Sequence, residues 1–492
     1  MPSHVGLEFA LRGRGAASPR RAGEAFRLLL VADFGGRARL SPAEARALAA
    51  PLRVDAVDFE KAFGRFEPRL TVTSASGAIE QLNLASLDDL HPDHLFENLE
   101  LFAAARELRA ALAAGGNAQV FERARRWLHE QGAVGSTPSE PQPSSSAGAE
   151  TAEATLQRLL GQSRGGGQET AAQAAVSPAQ ALIERAVRPH VVPNLASEQG
   201  PLLAEVDRVI GAEMRRILRS VEYRELESSW RAAERVLRSV DSDEELEVWL
   251  LDATRTELSA AFEDAGSDLE ASRVHARLVK EGRHWTVVAC DFSFGADDQE
   301  LTLLAQLAAT AARAGGVLLA DAAPSLLGAP LPALGHALRT SPLARQIGLV
   351  FPRVLARRPY GKKRDPIAAF AFEEITETTA FVTDERVWGS GAFAVAELLG
   401  KRFRSDGWDA DDGSPLELDD LPFDTFEDEH GERQLVPCAE VPLPESALAA
   451  LLARGVTPLV ARRDRASVRL ARLVSISDPS EPLIVGEKAD DN

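Results

Sequence analysis

Residues Trp285–Gly328 read WTVVACDFSFGADDQELTLLAQLAATAARAGGVLLADAAPSLLG, and this stretch decides the fold class. Trp285 to Cys290 is a short, β-branched apolar run of the kind that forms a buried strand. Asp291 to Gly295 then interrupts the run as a loop. From Gln299 to Ala314, Leu301, Leu304, Ala305, Ala308 and Ala312 recur at helical spacing, as in an Ala-rich helix lying close on a sheet. Gly315-Gly316 supplies a C-cap, and Val317 to Ala320 is a second buried strand. Strand, helix and strand in so short a span make a βαβ unit, whose strands run parallel and are covered by helices. The expected class is α/β (mixed α+β), with mostly buried sheets covered by helices.

Working outward, Leu246 to Asp252 and Ile347 to Phe351 read as further buried strands, and Glu257 to Phe262 as the start of a helix. Leu203 to Leu218 and Tyr223 to Val240 show helical apolar spacing, with Tyr223, Leu226, Trp230 and Leu237 on one stripe. Val387 to Gly407 reads as a Gly-rich helix, Leu448 to Leu452 as a short helix, and Thr457 to Ala461 as a strand. Asp409 to Glu429 holds ten acidic residues and neither Lys nor Arg, which predicts an exposed irregular region. Nearer the N-terminus, Val5 to Leu11 and Phe26 to Ala32 read as strands, the second ended by the turn residues Asp33-Phe34-Gly35-Gly36. Arg53 to Phe59 and Arg69 to Val72 read as short strands, Ser86 to Ala114 as one helix stopped by Gly115-Gly116, and Gln119 to Gln131 as another.

Residues 132–178 shift towards Gly, Ser, Gln, Pro and Ala, a composition that predicts a disordered tether. It divides the chain into a first domain, residues 1–131, and a second, residues 179–492. Within it, residues 153–162 form a helical island with Leu156, Leu159 and Leu160 on one face. That island reads either as a marginal helix too short to persist alone or as a recognition peptide that orders on a partner.

With 492 residues, 45% hydrophobic and 26% charged, the chain has the composition of globular protein with room for more than one core. A net charge of −19 argues against nucleic acid, since phosphate attachment needs clustered Lys and Arg. No apolar run is long enough for a membrane span, and no signal-peptide core opens the chain. Two cysteines, Cys290 and Cys438, favour no disulfide framework and make the cytoplasm the expected compartment.

The chemistry-bearing motifs are absent. Gly361-Lys362 lacks the spacing of a phosphate-binding loop, and no G-x-G-x-x-G opens a helix. Asp409 to Gly413 fails as a calcium loop because Trp408 falls where the first carboxylate belongs. The histidines show no zinc-ligand spacing. The expectation is therefore no catalytic, cofactor or metal site, and no enzyme. Asp33 and Asp291 each end an apolar strand, where α/β enzymes place their sites, but turn or helix capping explains both. An α/β enzyme working near Asp291 remains the competing class. It requires a deep polar pocket with convergent titratable groups, and none is expected. Arg353, Arg357, Arg358, Lys362, Lys363 and Arg364 form the densest basic cluster, either a solvated loop or half of a contact with an acidic surface of another copy.

Five blocks carry a family resemblance: Tyr223–Leu237 (YRELESSWRAAERVL), Cys290–Gly328, Ile347–Glu374 (IGLVFPRVLARRPYGKKRDPIAAFAFEE), Val387–Trp408 (VWGSGAFAVAELLGKRFRSDGW) and Asp420–Glu432 (DLPFDTFEDEHGE). In this order they resemble the large subunit of the type VI secretion contractile sheath, the TssC (VipB) family. The first part resembles the small sheath subunit, TssB (VipA), through Phe26–Arg37 (FRLLLVADFGGR), Val54–Phe63 (VDAVDFEKAF) and Leu82–Leu112. The resemblance implies two sheath-type lobes in one fused chain, the second truncated at its C-terminus relative to the family.

It further implies a structural subunit of a contractile sheath around an inner tube, driving effector delivery by contraction. The alternative is a non-polymerising capping, baseplate-associated or regulatory homologue. Implied partners are other sheath subunits, an Hcp-type tube protein, baseplate proteins and a ClpV-type AAA+ unfoldase. Leu156, Leu159 and Leu160 would serve unfoldase recognition and Val5, Leu7 and Phe9 strand exchange. Arg357, Arg358, Lys362 and Lys363 would contact a neighbouring subunit.

Overall fold

A computed structural model describes residues 24–37, 48–132, 195–328, 331–376, 383–409, 416–428 and 430–486. The chain divides into two compact units, Met1–Ala104 with Ile210–Asn492, and Ala105–Val209.

The larger unit is built on a nine-stranded sheet among the described residues, in the order β11-β15-β14-β8-β7-β6-β1-β5-β2. Its middle is parallel: β5 (Leu246–Asp252), β1 (Phe26–Ala32), β6 (Val287–Phe294), β7 (Val317–Ala322), β8 (Ile347–Phe351) and β14 (Val456–Ala461). The edges are antiparallel, with β2 (Leu52–Val54) on one side and β15 (Val468–Leu470) and β11 (Leu416–Leu418) on the other. Two short hairpins pair β3 (Arg69–Thr73) with β4 (Ile79–Asn83) and β12 (Thr425–Glu427) with β13 (Arg433–Leu435). The βαβ reading holds: β6, helix α9 (Asp298–Arg313) and β7 follow one another, and β6 and β7 pair in parallel.

Helices cover both faces, as a fully parallel interior requires. On one side α9 buries Leu304, Ala305, Ala308 and Ala312 against a cluster that includes Val288, Cys290, Leu318 and Ala320. Elsewhere α12 (Gly391–Asp406) packs against β1, β6, β7 and β8 and against α6 (Val221–Ser239). That approach depends on Gly400, where a Cβ would lie 2.8 Å from Val240 Cγ1 and 3.3 Å from Leu28 Cδ1. Ser390 caps α12 by accepting a hydrogen bond from Phe393 N. Thr254 and Glu257 form a reciprocal capping box on α7 (Arg255–Glu263).

The smaller unit is helical. It comprises most of α3 (Ala103–Ala113), α4 (Ala118–Glu130) and the first part of α5 (Leu195–Leu218). Leu108, Leu112, Phe121, Ala124 and Leu128 are buried there, and Arg109 Nε bonds Asp207 Oδ1 at 2.7 Å. Asn117 caps α4 through Val120 N.

Several local readings are corrected. Ser86–Ala114 is not one helix but a 3-10 turn, α2 (Pro92–Asn98), a second 3-10 turn and α3. Pro92 excludes a helical residue before it, and His91 is extended (φ −66°, ψ 140°); Leu99 breaks the chain again at φ −75°, ψ 127°. The strand read over Arg53–Phe59 stops at Val54, and Phe59 opens helix α1 (Phe59–Phe66), whose four buried residues recur at helical spacing. β6 does not end at Cys290. It runs on to Phe294 with a register shift between Cys290 and Ser293, so the expected loop is a β-bulge. The acidic stretch Asp409–Glu429, read as irregular, contributes β11 and β12 and buries Asp424.

Among the described residues no helix is long and apolar enough to cross a membrane, and no group of three or more His, Cys, Asp or Glu could hold a metal ion. Val5, Leu7 and Phe9, and Leu156, Leu159 and Leu160, lie outside the described residues.

Candidate functional site: a composite sheet and its polar cleft

Strand β1 comes from the first part of the sequence and yet lies inside the sheet formed by the second. It pairs along its whole length with β5, from Phe26 opposite Leu246 to Ala32 opposite Asp252, and on its other side with β6, from Leu28 opposite Val287 to Val31 opposite Cys290. Leu28, Leu29 and Leu30 are fully buried, so both faces of β1 are core. The apolar run FRLLLVA shows a buried strand; nothing local in it shows which strands flank it.

The segment after β1 is held just as closely. Trp230 of α6 is enclosed by Phe34, Phe59, Phe63 and Phe66, with ring centroids 4.5–5.8 Å away, and its Nε1 donates to Phe34 O at 2.8 Å. Arg37 is buried between Asp252 and Glu257: Nη2 lies 2.9 Å from Glu257 Oε2, and Nη1 bonds Asp252. Burial pushes the Asp252 carboxyl up to about 6 even with Arg37 beside it. Tyr223 donates its hydroxyl to Leu90 O at 2.9 Å, and Asp93 accepts from Ala368 N and Ala369 N.

At the C-terminal ends of β1, β5, β6 and β7 the sheet opens into a polar cleft of about 330 Å³. The expectation that no polar pocket with convergent titratable groups would exist is therefore corrected. Asp291, where the register of β6 shifts, lines the cleft, and Asp33, Glu222, Glu225 and Asp321 complete its acidic lining. Arg69, Arg255 and Arg353 also line it. Arg255 pairs with Glu300 at 2.9 Å and Arg353 with Glu440 at 2.6 Å, acids outside the cleft.

Asp321 is buried, and its Oδ1 accepts from Ala392 N at 2.8 Å in the first turn of α12. Burial, reinforced by Asp291, pushes its carboxyl up to about 8. Burial also raises Asp291, whose Oδ2 contacts Ser229 Oγ. The Ser229 hydroxyl has one proton and also meets Glu225 O at 2.9 Å. Among the described residues, no histidine, cysteine or lysine lines the cleft.

A pH test follows. Asp321 keeps its proton in the fold up to about pH 8 but loses it near pH 4 when unfolded, so stability falls as pH rises through that window. Asp321→Asn retains an acceptor for Ala392 N, and its unfolding free energy should lose this downward slope between about pH 5 and 8. Chemical denaturation at several pH values reads it; an unchanged slope contradicts the assignment.

The basic cluster separates in the fold. Arg357 faces inward, 6% exposed, with Nε 2.8 Å from both carboxylate oxygens of Glu227 and its two Nη atoms 2.7 and 2.9 Å from Glu374. It also lies over the Tyr360 ring at 4.1 Å. Burial alone would raise Glu227, but Arg357 and Arg231 outweigh it and hold that carboxylate below its ordinary range. Arg364 bonds Asp424 at 2.6 Å, and Arg358 stands over the Phe423 ring at 4.7 Å. The contact with the acidic stretch is thus made partly within the chain. Lys362 and Lys363 remain exposed. Six basic residues within twelve positions read as one patch; only the turn geometry reveals that they point different ways.

Comparison with known proteins yields two findings. Residues 201–331 and 335–475 match the VipB family model, described as EvpB/VC_A0108, tail sheath N-terminal domain. Over 310 residues the chain is 26% identical to the type VI secretion system sheath protein TssC1 of Pseudomonas aeruginosa strain PAO1, covering 57% of this chain and 61% of that protein. The chain therefore spans less than two thirds of that relative's length. The matched region contains β5 and β6 but not β1, which sits between them.

Proposed function

This chain belongs to the VipB family of type VI sheath large subunits, and we propose that it acts as a fused sheath subunit carrying both the small-subunit and large-subunit parts. One observation supports the fusion above all. The family region matched here leaves a strand-wide gap between β5 and β6, and residues 26–32 of the same chain fill it. Two strands separated by a missing neighbour leave unpaired N–H and C=O groups in a dry interior, so the large-subunit part needs such a strand from somewhere. In this reading residues 1–131 are the small-subunit part, residues 132–178 the tether and residues 179–492 the large-subunit part.

The proposed work is mechanical. Subunits assemble in the cytoplasm around an Hcp-type inner tube on a baseplate, and rotate as rigid bodies when the sheath contracts and delivers effectors. The family is one of structural sheath proteins, and the proposed role uses no catalytic residue. Val5, Leu7 and Phe9 would pair with a neighbouring subunit's strand, and Leu156, Leu159 and Leu160 would present the helix gripped by a ClpV-type unfoldase. Arg358, Lys362 and Lys363 supply the subunit contact, while Arg357 braces their loop from inside.

Cutting the tether tests the fusion. A protease site placed within residues 132–178 and cleaved after folding should leave the two pieces together, coeluting one to one on size exclusion, because β1 is paired on both sides. Separation of the pieces in native buffer would contradict the composite subunit.

A further inference from the structure

The apolar part of β1 does not set its own register. FRLLLVA is apolar apart from Arg27 and is core on both faces, so it lacks the in–out alternation that fixes a strand with one buried face. A slip of two residues along β5 moves it about 6.6 Å and returns the same side chains to the same sides. The pairing is nevertheless a single one, from Phe26 opposite Leu246 to Ala32 opposite Asp252.

Charges on β5 supply what the apolar run lacks. β5 reads LEVWLLD, with Glu247 second and Asp252 last. Arg27, second in β1, lies opposite Glu247, and its Nε donates to Glu247 Oε2 at 2.7 Å. At the other end, the turn Asp33–Gly36 brings Arg37 back onto Asp252. Asp33 Oδ1 accepts from Arg37 N at 2.9 Å, Gly35 N donates to Asp252 Oδ1 at 3.0 Å, and Arg37 Nη1 bonds Asp252 Oδ2. The turn needs Gly36, whose φ is +67° and whose Cβ would lie 2.3 Å from Arg69 O. Asp252 is buried, and among the described residues its carboxylate takes hydrogen bonds from Gly35 and Arg37 alone. A slipped strand would carry both donors out of reach and leave that carboxylate buried without them. Desolvation offsets much of what a buried ion pair gains, and fixing a register is its best-attested use.

We infer that Arg27 and Arg37 are register-setting residues, each clasping one acid of β5, so that β1 enters the sheet in one alignment only. Arg37 weighs more. Its site is buried, whereas Glu247 keeps Trp249 Nε1 and Arg53 as partners when Arg27 is replaced. The inference rests on the composite-subunit reading and names what makes the large-subunit part take this strand in this place.

The test uses full-length chains carrying Arg27→Cys and one second cysteine. That cysteine is Glu247→Cys, directly opposite, or Glu245→Cys or Trp249→Cys, two residues to either side. Replacing Arg27 also leaves the register to Arg37. Dibromobimane, a short linker, joins neighbouring thiols, and peptide mapping identifies the linked pair. With Arg37 present, the 27–247 pair should link and the flanking pairs should not. Arg37→Met should raise the flanking links about tenfold. Adding Asp252→Asn removes the unpaired charge, so the urea midpoint should recover while the flanking links persist; a residue that only stabilised the fold would have both restored. This double variant also gives the reading if Arg37→Met alone does not fold. Variants lacking Arg37 that fold and link only 27–247 would overturn the assignment and give the register to Phe34 and Trp230. Absence of the 27–247 link with Arg37 present would place β1 elsewhere than beside β5, and the composite-subunit reading would fall with this one.

Discussion

Replacing Trp230 with alanine should cost about 3–5 kcal/mol of stability, the usual range for emptying a buried aromatic site. Trp230 is fully buried, touches four phenylalanines and satisfies Phe34 O, so the substitution opens a cavity and also orphans a buried carbonyl. Domains hold a net stability of only about 5–15 kcal/mol, so the loss removes a large part of it. The effect has a direction in space. Phe34, Phe59, Phe63 and Phe66 all belong to the segment that follows β1, and Trp230 belongs to α6 of the family region. Loss of the indole should therefore loosen residues 34–37 and 48–66 before the rest, raising amide exchange there while β7 and β8 stay protected. Trp230→Phe should recover part of the stability without the hydrogen bond. Uniform loosening of the whole sheet would show that Trp230 is ordinary core and not the clamp between the two parts.

Arg357→Ala should be comparably damaging for a different reason. It removes the ion-pair partner of Glu374 and leaves Glu227 with Arg231 alone, both carboxylates being buried at 2% and 0% exposure, and breaking a buried pair in this way costs about 3–5 kcal/mol. Adding Glu227→Gln and Glu374→Gln should restore much of the loss, because the cost lies in the unpaired charges more than in the missing contacts. The pH signature has a fixed sign. Glu227 is held below its ordinary range in the fold, so its contribution is fully present above about pH 4.5 and is lost as pH falls through the depressed folded value. The native chain should lose stability on acidification through that range, and the triple variant should lose less. Urea midpoints at neutral and acidic pH read both effects. A triple variant no more stable than Arg357→Ala would show that the arginine acts by packing on Tyr360 instead.

The sheet's parallel core was legible because a buried strand writes itself as a continuous apolar run. Leu246–Asp252, Ile347–Phe351 and the β6-α9-β7 unit all have that form, and the five ordered blocks point to the sheath family. What escaped the sequence was sidedness and long-range order. FRLLLVA is equally apolar at a sheet edge or at its centre, so the placing of β1 between β5 and β6 depends on pairings more than two hundred residues apart. Ser86–Ala114 kept a helical apolar spacing across Pro92, and the proline's restriction on His91 decided the break. The bulge at Asp291–Phe292 looked like a loop, because a bulge and a loop share the same polar interruption. Asp291 lies within this shift and lines the cleft. Proximity in sequence groups Arg357 with Lys362 and Lys363, and only the turn at Tyr360-Gly361 sends one inward and the others out.

The most direct test of a fused, composite sheath subunit is negative-stain electron microscopy of the purified full-length chain, alone and coexpressed with a full-length large subunit. The account predicts helical tubes or ring-shaped cross-sections in at least one of the two preparations, with β1 and the family region in the same repeating unit. Monodisperse single particles in both, at concentrations where sheath proteins polymerise, would contradict it.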